Sequence, residues 1–191
     1  VFEYADFSEC LVTGESFGTK PVAHPLRLMT HNPNWRQEFE QARSLILWAT
    51  EGWVKEIQHI GSTALQDGIA QPVIDLLAGL PDLQGLNQAA ELIEGLNYTR
   101  VEAPEWCGEE LTAELCKPRV GAATHRVLLV RLGGAAWRRA LAVRDWLSGH
   151  PHDWQQFQAL KRAHFTAGCD AWERYTTAKD QYFHSLEQQL K

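Results

Sequence analysis

Cysteine is scarce and scattered in this chain. Cys10, Cys107, Cys116 and Cys169 are spread over 191 residues with no C-x-x-C pair among them. That scatter gives no pattern for a zinc site, and it reads as free thiols in a reducing, cytoplasmic setting. The eight histidines form no H-E-x-x-H or other clustered ligand pattern. No apolar run approaches the ~20 residues that a membrane-spanning helix needs, so no membrane partner is expected. The opening stretch "VFEYADFSEC" has neither the basic n-region nor the apolar core of a secretory signal. Basic residues are few in the first part: residues 1–116 carry 6 Lys+Arg against 18 Asp+Glu, whereas residues 117–191 carry 12 against 6. A chain of net charge −6 lacks the overall basic surface of an indiscriminate nucleic-acid binder. Its basic C-terminal part still permits a local anion site.

What is present is the composition of an ordinary globular domain, 45% hydrophobic and 22% charged. Residues 1–25 form a Gly- and Pro-punctuated N-terminal extension, and a single domain is expected over 26–191. Asn32 can cap a first helix with Pro33 at its start. Trp35, Phe39, Ala42, Leu45, Ile46 and Ala49 recur there at helical spacing, and Gly52 ends the run. "WVKEIQHI" reads as a strand that enters a Gly61-Ser62 turn, and "PVIDLLAG" as a short strand buried on both faces. Asp82 caps a second helix over Leu83 to Glu94, followed by the strand "YTRVE". Residues 103–121 read as loop with a short strand near "LCKPRV", and "THRVLLVRL" is a strand. From about residue 134 the chain reads as three helices: "AAWRRALAVRDWLSG", "PHDWQQFQALKRAHFTAG" and "CDAWERYTTAKDQYFHSLEQQLK". A mixed part followed by a helical tail predicts an α+β fold, a small mixed sheet covered by helices.

The residues that carry chemistry gather around the first turn. Gly61 lets the backbone come close to a ligand, and Ser62 and Thr63 add hydroxyl donors to an anion nest. Asp75 interrupts an apolar strand, where an unpaired charge is costly, so a cation, a donor cluster, an arginine or solvent must meet it. Arg144, Lys161 and Lys179 each sit in an apolar or aromatic helical context, from which each could reach inward to a phosphate or snorkel to solvent.

Taken in order, "HIGST", "QPVID", "THRVLLV", "RDWL" before "HP", and the tail's "LK" and "AK" resemble the GrpB family, whose fold is similar to that of the nucleotidyltransferases. The resemblance implies a small mixed sheet of nucleotidyltransferase type with a helical C-terminal part across a cleft. It implies a phosphate turn at Gly61, Ser62 and Thr63, a metal carboxylate at Asp75, and phosphate-binding cations at Arg144, Lys161 and Lys179. It also places His59 and His125 as acid, base or metal ligand. The cofactor would be Mg²⁺ and the partner a nucleotide or other phosphorylated small molecule. The second carboxylate of such a site is absent, since Leu77 stands there, and Val127 to Val130 offer no third. One Asp can hold Mg²⁺ beside a nucleotide, but two-metal chemistry needs bridging carboxylates. Three readings therefore stand: a nucleotidyltransferase, an anion- or nucleotide-binding module without the chemistry, or a plain interaction protein.

Overall fold

The structure, a computed structural model, describes residues 27–101, 112–165, 177–178, 181–183 and 185–186. Cys10, Cys107, Cys169, Lys179, the N-terminal extension and most of the last expected helix lie outside these. Helix α1 (Asn34–Ala49) starts where the sequence indicates: the Asn32 side chain accepts from the Asn34 N–H at 3.0 Å, and Pro33 already has helical dihedrals. Past its end, Thr50 turns its hydroxyl back onto the Ile46 carbonyl at 2.8 Å, and Gly52 takes φ +92°. The stripe is narrower than its spacing suggests. Trp35, Phe39 and Ile46 are buried, but Leu45 is 41% exposed beside an Ile46 that is wholly covered.

After a short strand β1 (Met29–Thr30) and α1 come β2 (Glu56–Ile60), β3 (Ile69–Ala70), β4 (Ile74–Leu80), helix α2 (Leu86–Glu94), β5 (Thr99–Val101), β6 (Ala113–Lys117), β7 (His125–Arg131), α3 (Ala135–Gly149) and α4 (Pro151–Phe165). Asp82 caps as expected, accepting from Gln84 N–H at 2.9 Å, though the first turn it caps is a 3-10 turn. β1 and β3 make a two-stranded ribbon, and the remaining strands make one sheet in the order β2-β4-β7-β6-β5. Only β4 and β7 run parallel; every other pair in that sheet is antiparallel. The sheet is mixed and α+β, as the sequence predicts.

Strand alternation sorts side chains between two cores. On one face Ile57, Ile74, Leu76, Ala78, Leu80, Leu115, Val127 and Leu129 pack under α1 and α2. On the other, Ile60, Leu77, Leu128 and Val130 pack under Trp137 and Ala136 of α3. A third cluster joins Leu65 to Leu147, Trp154, Phe157, Phe183 and Leu186, so α4 and the chain end are seated on the segment after β2. Cys116 corrects the expectation of free thiols: it is disulfide-bonded. Among the described residues no helix is long and apolar enough to cross a membrane.

Ile46→Ala should cost about 2–5 kcal/mol of stability in urea denaturation, whereas Leu45→Ala should change it by no more than about 0.5 kcal/mol. Equal losses at the two neighbours would contradict the packing described.

Candidate functional site

The turn after β2 is built against β4. Ile60 is the register partner of Asp75, so Gly61, one step past the strand, comes to lie on the Asp75 side chain. Gly61 has φ +71°, and a Cβ there would sit 2.2 Å from Asp75 Oδ2. Only glycine satisfies both the left-handed backbone and the close approach. Ser62 to Ala64 then form a 3-10 turn.

Asp75 is buried, and its partner comes from the neighbouring parallel strand. Arg126, directly across in register, places Nε 3.3 Å from Asp75 Oδ1. The same Nε lies 3.8 Å from Glu114 Oε1, contributed by β6. All three residues are buried on the face that α3 covers. Removing one member of such a group leaves an uncompensated buried charge, at a cost of about 3–5 kcal/mol. Sequence reasoning missed Arg126 and Glu114. The signal was available: each interrupts an apolar strand as Asp75 does, with Arg126 of opposite sign.

Mg²⁺ held by the strand carboxylates does not fit these residues as they stand. The cation that meets Asp75 and Glu114 is the Arg126 guanidinium. Leu77, at the place of a second carboxylate, is fully buried in the hydrocarbon under Trp137. Among the described residues no group of three or more His, Cys, Asp or Glu gathers to hold a metal.

Lys161 of α4 reaches the turn. It is 2% exposed, and its Nζ donates to Ser62 Oγ at 2.7 Å and to the Ile69 carbonyl at 2.8 Å. The ammonium also lies 4.7 Å from the centroid of the Trp154 ring and 4.5 Å from that of Phe157, within cation–π range. One helix face carries the whole contact. Trp154 Nε1 donates to the Gln66 carbonyl at 2.9 Å, and Gln158 Oε1 accepts from the Ile69 N–H at 2.6 Å. A Cβ on Gly68 would strike Trp154 at 2.4 Å, so the segment can approach that face only as glycine.

Arg144 of α3 has a different set of partners. Its Nε and Nη2 grip Asp145 Oδ1, each at 2.8 Å. Its Nη1 donates to Gln58 Oε1 at 2.9 Å and to the His59 carbonyl at 3.1 Å, tying α3 to the end of β2. The structure thus brings Gly61, Ser62, Asp75, Arg144 and Lys161 to one stretch of chain, the end of β2 and the turn after it. Lys179 lies outside the described residues.

His59, His125 and Thr63 are placed elsewhere. His59 is the register partner of Leu76, and His125 of Ile74, so both belong to the α1–α2 face, opposite Asp75. His59 stacks on Phe39 with centroids 4.5 Å apart. Its Nε2 is 3.0 Å from Thr63 Oγ1, and that hydroxyl donates its only proton to the Val73 carbonyl at 3.0 Å. His59 must therefore donate to Thr63, with a proton on Nε2. Burial, with help from the Arg144 charge, holds its pKa down at about 4. His125 is held at about 4 by burial and by Lys117. Thr63 is buried, with its hydroxyl engaged on both sides. Neither histidine nor the Thr63 side chain joins the Asp75 side of the sheet.

Both histidine pKa values lie below the ordinary 6.5 of an unfolded chain. Their contribution to stability is complete above pH 6.5 and is lost progressively as pH falls towards 4, because protons then favour the unfolded chain. Melting temperature should drop between pH 7 and 5, before most carboxylates titrate. His59→Gln, which keeps a donor for Thr63, should flatten that drop; an unchanged slope would contradict the neutral, buried assignment.

A family model described as GrpB protein matches residues 25–189. The Glutamate-rich protein GrpB of Alkalihalophilus pseudofirmus is 28% identical over 156 residues, covering 81% of this chain and 90% of that protein. The UPF0157 protein YqkA of Bacillus subtilis is 24% identical over 87% of this chain, which spans 47% of YqkA's length. Among solved structures, the conserved protein GrpB from Enterococcus faecalis superposes with a TM-score of 0.74 at 22% identity, covering 85% of this chain and 96% of that one; at that identity the likeness speaks for the fold. With nearly the whole described fold and most of the sequence inside the match, the chain belongs to the GrpB family.

Proposed function

We propose that this chain binds a nucleotide or another phosphorylated small molecule at the Gly61–Ser62 turn, in a cleft between the sheet and helices α3 and α4. The observation that carries the reading is the Lys161–Ser62 couple. A lysine from 99 residues away is buried and aimed at the serine hydroxyl of a turn after a strand. Because Ser62 Oγ accepts from the ammonium, its own O–H is left to donate to another acceptor. A phosphate oxygen taking that proton would meet a donor polarised by a neighbouring positive charge, and charge-assisted bonds are about twice as strong as neutral ones. Arg144, whose guanidinium grips Asp145, Gln58 and the His59 carbonyl, positions the end of β2. Its part in binding is to hold the turn.

Nucleotidyl transfer is the activity that the family's likeness to nucleotidyltransferases suggests. The residues around Asp75 favour binding over metal-assisted transfer, since Leu77 lies in hydrocarbon and Arg126 meets the carboxylates. Losing a metal's Lewis-acid help costs several kcal/mol of transition-state stabilisation, and each ~1.4 kcal/mol is tenfold in rate.

A thermal-shift panel of nucleoside phosphates and sugar phosphates, with and without Mg²⁺, tests this, because a ligand bound only by the folded state must raise its melting temperature. The expected result is stabilisation by at least one phosphorylated compound without Mg²⁺. Ser62→Ala should then weaken that compound's binding by about 10–100-fold, the loss of one hydrogen bond to a charged group, and should also lower the ligand-free melting temperature, because it takes an acceptor from the buried Lys161 ammonium. Binding that requires Mg²⁺ and is lost in Asp75→Ala would favour transfer instead. No shift from any phosphorylated compound would sink the proposal.

A further inference from the structure

We propose that Arg126 is the resident cation of the strand carboxylates, a guanidinium standing where a divalent ion would have to stand and closing Asp75 and Glu114 to metal. The three residues come from three adjacent strands, β4, β7 and β6, and all are buried on one face. Both carboxylates lie within 4 Å of a single nitrogen of Arg126, at 3.3 and 3.8 Å. A divalent ion shared by them would need their oxygens drawn in to about 2.1–2.6 Å, in the space the guanidinium side now fills. It would also turn a buried guanidinium out of its pairing, which is strongly unfavourable. Leu77, packed with Leu128 and Trp137 beneath α3, cannot supply a ligand.

The charge logic points the same way. Counted as ions, two carboxylates and one guanidinium sum to −1, so the guanidinium cancels half of the carboxylates' charge without any metal ion. Without the guanidinium, two buried carboxylates that lie close to one point would be left together, the arrangement that draws a hard cation. The arginine is therefore the element that decides which chemistry this face can hold. This inference goes beyond the phosphate-ligand reading and does not rest on it, since its test uses divalent ions alone.

The test follows Mn²⁺ binding to the full chain by electron paramagnetic resonance, and melting with and without Mg²⁺ at constant ionic strength. The wild type should show no Mn²⁺ binding that depends on Asp75, and Mg²⁺ should leave its melting temperature unmoved. Arg126→Gln should melt lower and gain Mn²⁺ binding. Mg²⁺ at ten times its Kd should raise that variant's melting temperature by about 3–5 °C. The gain should vanish in the double variant Arg126→Gln, Asp75→Asn. Mn²⁺ bound by the wild type and lost in Asp75→Asn overturns the proposal, as does a folded Arg126→Gln no more responsive to Mg²⁺ than the wild type. If Arg126→Gln does not fold alone, the wild-type Mn²⁺ measurement with its Asp75→Asn control decides the matter.

Discussion

Asp75 and Arg126 stand across from each other on the parallel pair β4 and β7, and the burial of each charge there rests on an opposite charge within reach. Their pairing constrains everything near that end of the sheet. Gly61 must be glycine because the Asp75 carboxylate lies against it. Glu114 must face the same side because the guanidinium is shared. Apolar packing resumes at once on the same face, with Leu77 and Leu128 sealed beneath α3. The sheet thus changes from ionic to hydrocarbon within one pleat, and the turn that carries Ser62 sits on the ionic side of that boundary.

Two further cations act as tethers. Lys161 fastens α4 to the segment following β2, and Arg144 fastens α3 to β2 itself. Both hold backbone carbonyls that would otherwise need water or another donor. The helical part therefore does more than cover apolar surface. Through a handful of polar contacts it holds the segment that carries Gly61 and Ser62, the turn that lies against Asp75 of β4.

Much of this was legible in the sequence, for identifiable reasons. Long periodic runs, with clear cap signals at α1, gave α1, α3 and α4, and apolar runs interrupted by charge gave β4 and β7. Asp75 stood out because a charge in such a run demands a partner. That partner was not legible, because a match to a phosphate-turn pattern directs attention to carboxylates, and Arg126 is not one. His59 and His125 were misplaced for a reason of parity. A strand sends neighbouring residues to opposite faces, so a histidine one step from Ile60, or from Arg126, cannot join the residue across from it. Register decides that, and register follows from pairings that no local stretch contains. Leu45 and Ile46 are a further case: adjacent on one apolar arc of α1, only Ile46 enters the core.

The clasp of α4 on the turn also bears on synthesis. Trp154, Gln158 and Lys161 lie 88, 89 and 92 residues beyond the backbone groups they hold, and Lys161 lies 99 beyond Ser62. A chain emerging from the ribosome presents its serine turn long before the helix that shapes it has been translated. Until then the turn waits without its lysine, and a product truncated before α4 would carry the motif yet lack the contacts that set its form.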